Sequence, residues 1–130
     1  MATILLVDDD LDFVESTKAI LESGASHQVT CAYNGEEALE RIKEEKPNLI
    51  ILDIMMPKKH GYALCEELKN NPEYSDIPIL LLTAVSSEIS RTRYTTQMGR
   101  MTQADDYIDK PVKPAELLSR VEELLEVHSS

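Results

Sequence analysis

Four places in the 130-residue chain hold side chains that could do chemistry together: Asp8-Asp9, Asp53, Thr83 and Lys110. Each stands at or just beyond the end of a short aliphatic run. Taken singly, each has a plain structural reading. Asp8-Asp9-Asp10 could be acids favoured at a helix N-terminus, and Asp53 could be a cap or turn residue. Thr83 could be a strand-end hydroxyl, and Lys110 a solvated lysine. Taken together they describe one site. Three converging carboxylates repel each other, so a cation has to lower that cost. A set of oxygen ligands with room for water suits Mg²⁺. A metal beside a carboxylate nucleophile, a hydroxyl and an ammonium is a phosphoryl-transfer site. The Asp53 oxygen attacks, the metal and Lys110 neutralise charge, and the Thr83 hydroxyl binds a phosphoryl oxygen.

The elements that must bring these residues together can be read from the hydrophobic pattern. Three unbroken runs, Ile4-Leu5-Leu6-Val7, Leu49-Ile50-Ile51-Leu52 and Ile79-Leu80-Leu81-Leu82, suit strands of a parallel sheet buried on both faces. Weaker strand signals lie at Gln28 to Ala32 and Asp106 to Ile108. Between the strands lie helical patterns. The first spans Asp12 to Ser23, with Gly24 suited to closing it. The second is capped by Asn34, with Glu37 three residues on to answer its backbone. The third starts near Gly61 with Leu64 and Leu68 on one face. The last opens at Pro114 and carries an inward stripe of Leu117, Leu118, Val121, Leu124 and Leu125. Residues 86–103 are rich in Ser and Thr, and an irregular fourth helix is expected there. This alternation implies right-handed crossovers and a doubly wound α/β sandwich. Ligands of such sheets gather beyond the carboxyl ends of the strands, where all four candidate positions fall.

Composition narrows the classes of function. The length fits one domain, and 42% hydrophobic residues can form a core. The net charge of −11 repels phosphate backbones and anionic membranes, which argues against direct nucleic-acid or membrane binding. Cys31 and Cys65 lack CxxC spacing and read as free thiols of a reducing compartment. No apolar run approaches the roughly 20 residues of a membrane span, so a cytoplasmic location is expected.

At this point the sequence resembles the receiver domain of two-component response regulators, the CheY-like family. The carriers are Val7-Asp8-Asp9, Asp53 with Pro57 and Gly61 behind it, Thr83-Ala84, and Ala104-Asp105-Asp106-Tyr107-Ile108-Asp109-Lys110-Pro111. Together and in order they cover essentially the whole chain, with residues 1–127 as one receiver domain and 128–130 as a frayed tail. The resemblance implies a flavodoxin-like (βα)5 fold with a parallel five-stranded sheet of order 2-1-3-4-5. It implies that Asp53 takes a phosphoryl group from a phosphohistidine of a sensor histidine kinase or phosphotransfer protein. Mg²⁺ would be held by Asp8, through a bound water, by Asp9 and Asp53 directly, and by the Met55 backbone carbonyl. Lys110 would pair with Asp53 or the phosphoryl group, and the Lys110-Pro111 bond would be cis. Thr83, with Ala84, would engage the phosphoryl group and let Tyr107 move inward. That movement would reshape the surface of the fourth helix, fifth strand and fifth helix for a downstream partner, or for a second copy of the chain.

Gln103 departs from the family, which usually has Gly there, and the stretch between Thr83 and Lys110 is a few residues longer than in many members. Within it Arg91, Arg93 and Arg100 form a basic patch in an acidic protein, read either as a solvated helix face or as a dock for an acidic partner. Met55 and Val85 offer no group to orient a hydrolytic water, so a long-lived phosphoryl state is expected. Four other readings compete. A Mg²⁺-dependent phosphohydrolase would commonly place an acid where Met55 stands, so turnover of an external substrate is not expected. A flavin carrier would need a Ser/Thr/Gly-rich phosphate loop where Asp8-Asp9-Asp10 stands. A phosphorylation-independent interaction module, or a phosphorelay intermediate, would keep the same fold. The sequence ends soon after the last helix, so no output domain is expected in it.

Overall fold

Four consecutive aliphatic residues cannot alternate between core and water, so such a run has to be covered on both faces. The computed structural model meets that demand with a parallel sheet sandwiched between helices. It describes residues 2–25, 27–53, 61–83, 105–109 and 113–128. Among these the chain order is β1 (Thr3–Val7), α1 (Leu11–Ala25), β2 (Gln28–Ala32), α2 (Gly35–Glu44), β3 (Leu49–Asp53), α3 (Gly61–Lys69), β4 (Ile79–Thr83), β5 (Asp106–Asp109) and α4 (Pro114–His128). The sheet order is β2-β1-β3-β4-β5, with every neighbouring pair parallel. This is the doubly wound order expected from the sequence, and its switch point falls between β1 and β3. The helix expected over residues 86–103 lies outside the described residues.

The pleat divides each aliphatic run between two cores. Leu5, Val7, Ile50, Leu52, Ile79 and Leu81 face one way, against Ala38 and Ile42 of α2 and Leu64 and Leu68 of α3. Ile4, Leu6, Leu49, Ile51, Leu80 and Leu82 face the other, against Val14 and Leu21 of α1 and Leu117, Val121 and Leu124 of α4. With a residue period of two, adjacent positions serve opposite cores, which is why no polar residue interrupts the runs. Truncating Ile51 or Leu52, both fully buried, should cost about 2–5 kcal/mol.

Two local details differ from the sequence expectation. Gly24 does not close α1; the helix runs on to Ala25. An interior glycine costs only about 1 kcal/mol, which packing overrides. The turn is instead closed at His27, whose N–H donates to the Leu21 carbonyl at 3.3 Å. The His27 ring is buried and works as a fastener. Its Nδ1 accepts the Ala2 N–H at 3.1 Å, so the proton sits on Nε2, which donates to Glu122 Oε1 at 2.7 Å. The start of β1 is thereby tied to α4. At α2, Asn34 Oδ1 caps the Glu37 N–H at 2.9 Å, as expected. The Glu37 carboxylate, however, accepts the N–H of Tyr33 at 2.7 Å, one residue before the cap.

Candidate functional site

Register positions the acids. Val7 of β1 lies opposite Leu52 of β3, so the next residues, Asp8 and Asp53, leave the sheet side by side. Asp8 is held in line with the sheet by its N–H, which donates to the Ala32 carbonyl of β2 at 3.1 Å. Its Oδ1 accepts the Asp10 N–H at 3.0 Å, and that turn brings Asp9 round. Carboxylate oxygens of Asp8, Asp9 and Asp53 all lie within 4.8 Å of one another. Asp8 and Asp53 are 0% and 4% exposed, whereas Asp9 is open to solvent.

Asp10 does something else. Its carboxylate accepts the N–H groups of Asp12 and Phe13 at 3.1 and 3.2 Å, and its carbonyl accepts the Val14 N–H. It is the N-cap of α1. The plain reading of the acidic triplet as a helix start therefore holds for its third member only.

Burial makes the cluster electrostatically demanding. Two ionised carboxylates no more than 4.8 Å apart repel by roughly 3–4 kcal/mol or more at an effective dielectric near 20, and Asp8 and Asp53 are both shielded from bulk water. A divalent cation with oxygen ligands offsets that repulsion, and one exposed acid at the mouth leaves room for metal-bound waters. The donor set fits Mg²⁺.

Other expected site residues are placed by backbone. Thr83 ends β4 opposite Asp109 of β5, and Leu82 stands beside Asp53. Thr83 therefore closes the strand next to that of Asp53. Tyr107 lies on β5 opposite Leu81, Gly61 opens α3, and Lys110 follows Asp109, the last residue of β5, directly in sequence. Met55, Pro57, Ala84, Lys110, Pro111 and the arginines at 91, 93 and 100 lie outside the described residues.

Sequence reading missed the contacts that set the far end of β5. Lys69 Nζ lies 2.9 Å from Asp105 Oδ2, with the lysine side chain 8% exposed. No periodicity links a lysine at the end of one helix to an acid thirty-six residues later, so nothing in the sequence flagged the pair. Arg120 of α4 likewise grips both oxygens of Asp106 at 2.7 Å. Among the described residues, no helix is long and apolar enough to cross a membrane.

Comparison with known proteins now bears on the site. A family model described as "Response regulator receiver domain" matches residues 4–122. The chain belongs to the response regulator receiver domain family. The receiver domain is 43% identical over 125 residues to the "Probable transcriptional regulator ycf27" of Cyanophora paradoxa, covering 94% of this chain and 47% of the relative. It is 38% identical over 123 residues to the "Transcriptional regulatory protein GltR" of Pseudomonas aeruginosa, covering 95% and 48%. The receiver domain thus spans about half the length of the curated relatives it matches. Among solved structures, it superposes on the signal receiver domain of a signal transduction histidine kinase from Syntrophus aciditrophicus with a TM-score of 0.84 at 38% identity, covering 97% of this chain and 91% of that one. On the CheY-like receiver domain protein of Methanospirillum hungatei the TM-score is 0.83 at 31% identity, covering 99% and 97%. These matches make it a component of two-component regulatory systems.

Proposed function

We propose that this receiver domain is a phosphorylation switch whose acceptor is Asp53. The observation that carries this reading is the convergence of the Asp8, Asp9 and Asp53 carboxylates within 4.8 Å at the carboxyl ends of adjacent central strands. In the proposed reaction an Asp53 oxygen bonds to phosphorus as the phosphorus–nitrogen bond of a donor phosphohistidine breaks. Asp53 becomes an acyl phosphate, and the imidazole leaves with its electron pair. The donor is a sensor histidine kinase or a phosphotransfer protein.

Asp8, Asp9, Asp53 and the Met55 carbonyl would hold Mg²⁺, which supplies positive charge against the developing phosphoryl oxyanions. The chain's own residues do the rest. Burial of Asp53 keeps bulk water from its carboxylate, and the β1–β3 register aims it at the switch point. Lys110 adds a second positive charge, and the Thr83 hydroxyl, with the Ala84 backbone, receives a phosphoryl oxygen. The acyl phosphate then favours one of two packings of the last strand and its neighbours, with Tyr107 moving inward. The altered face binds a downstream partner. The reaction is stoichiometric and acts on the domain itself.

The test is incubation with acetyl phosphate and Mg²⁺ followed by intact-mass measurement. Wild type should gain one phosphoryl group, and Asp53→Asn or chelation of Mg²⁺ should abolish the gain. Labelling that persists in Asp53→Asn would refute the assignment. A pull-down with and without beryllofluoride then separates a phosphorylation switch from an interaction module indifferent to Asp53.

A further inference from the structure

The last strand has a physical problem. β5 is four residues long and, among the described residues, pairs on one side only, with β4. A short strand at the edge of the described sheet specifies its register weakly. A slip of one residue moves the chain about 3.3 Å and turns each side chain to the opposite face. Ile108, 3% exposed in the core beside Leu80 and Leu82, and the Arg120 grip on Asp106 resist such a slip.

A further restraint sits just before the strand. Asp105 donates its N–H to the Ile79 carbonyl at 2.9 Å, and its Oδ2 accepts the Ile79 N–H at 2.8 Å. The same Oδ2 lies 2.9 Å from Lys69 Nζ, which also donates to the carbonyls of Ile77 at 2.7 Å and Ser75 at 3.3 Å. The end of α3, the turn before β4, the first residue of β4 and the residue before β5 are therefore joined through one ion pair, Lys69 with Asp105. Lys69 is 8% exposed at its side chain and Asp105 22%, so the contact is largely shielded from water.

From this geometry we infer that Asp105, backed by Lys69, is a positioning residue for phosphoryl transfer. It fixes the β5 register, and with it Asp109 opposite Thr83, the residue that Lys110 follows directly in sequence. The inference rests on the role of Lys110 given under Proposed function. Asp8 and Asp9 belong to the turn after β1 and Asp53 to the end of β3, so the pin does not touch the proposed metal ligands. Metal affinity and phosphorylation rate should therefore separate when it is removed.

The experiment uses the full chain as wild type, Asp105→Ala, Asp105→Asn and Lys110→Ala. Mg²⁺ affinity is measured by titration, and Asp53 labelling is timed with acetyl phosphate at saturating Mg²⁺. Asp105→Ala should label about tenfold or more slowly, since small misplacements of a site group cost that much, while Mg²⁺ affinity stays unchanged. Asp105→Asn keeps an oxygen for the Ile79 N–H and should restore most of the rate. Wild-type labelling by Asp105→Ala beside a slow Lys110→Ala overturns the pin. So does a parallel loss of Mg²⁺ affinity, or an Asn variant as slow as Ala. Wild-type labelling by Lys110→Ala overturns the lysine's own role and the pin's purpose with it. No labelling of any form would instead strike at Asp53 as acceptor.

Discussion

Asp8 and Asp53 are neighbours because Val7 and Leu52 are register partners, and both acids are buried where their strands end. Two acids in that relationship favour any ion that neutralises them, and Asp9 offers a third carboxylate, open to solvent. Mg²⁺ should therefore raise the melting temperature. Binding to the folded state alone contributes about 2.7 kcal/mol once free ion exceeds its Kd about a hundredfold. Asp9→Asn should lose most of that gain while melting normally in chelator. Thermal melts with EDTA and with Mg²⁺ decide the matter; equal gains in both proteins would remove Asp9 from the ligand set.

Asp10 should behave in the opposite way. As the N-cap of α1 it satisfies the N–H groups of Asp12 and Phe13, so Asp10→Ala should lower stability by about 1 kcal/mol. Its Mg²⁺ affinity should match wild type. Urea unfolding beside a Mg²⁺ titration would show three consecutive acids divided between two tasks. Weakened metal binding in Asp10→Ala would contradict the division.

The strands were legible because burial on both faces leaves an unbroken aliphatic run, a signal contained in four adjacent letters. The acid cluster was legible for a related reason: in a parallel sheet, residues ending such runs must meet at one edge. Gly24 was misread because glycine propensity is worth about 1 kcal/mol and the end of α1 is set by His27, which is fastened to Ala2 and Glu122. Those partners, like Lys69 with Asp105, join distant parts of the chain. Side-chain contacts of that kind leave no local pattern, and only the folded geometry reveals them. The separate task of Asp10 within its triplet was hidden likewise, since the sequence shows three identical acids.

Cys31 offers a check on the packing between β2 and its neighbours. It is a half-buried free thiol, and burial pushes it above its ordinary value, with Lys18 opposing, Glu22 adding and Arg41 opposing. A raised thiol holds less thiolate at neutral pH, so alkylation should be slow there. An ordinary thiol is half ionised at about pH 9, so Cys31 labelling should reach half its maximal rate only above that pH. Cys65, fully buried, should label only on unfolding. Peptide mapping after iodoacetamide treatment across that pH range would test both; fast neutral labelling of Cys31 would mean that the β2 edge opens readily.

The lifetime of the proposed acyl phosphate depends on which nearby side chains in sequence could orient water. Hydrolysis needs a water held in line with phosphorus by a polar side chain, and the residues two places beyond Asp53 and Thr83 are Met55 and Val85. Neither can hold such a water, and Asp53 itself is 4% exposed. The phosphorylated protein should therefore persist for minutes or longer at neutral pH with Mg²⁺ present. Replacing Met55 by Glu supplies a carboxylate able to orient water and should shorten the lifetime by about a hundredfold, the lower end of the usual range for a positioned base. The measurement is the decay of the phosphorylated mass after acetyl phosphate is removed. A wild-type half-life of seconds, or a Met55→Glu variant no faster than wild type, would place control of hydrolysis elsewhere in the domain.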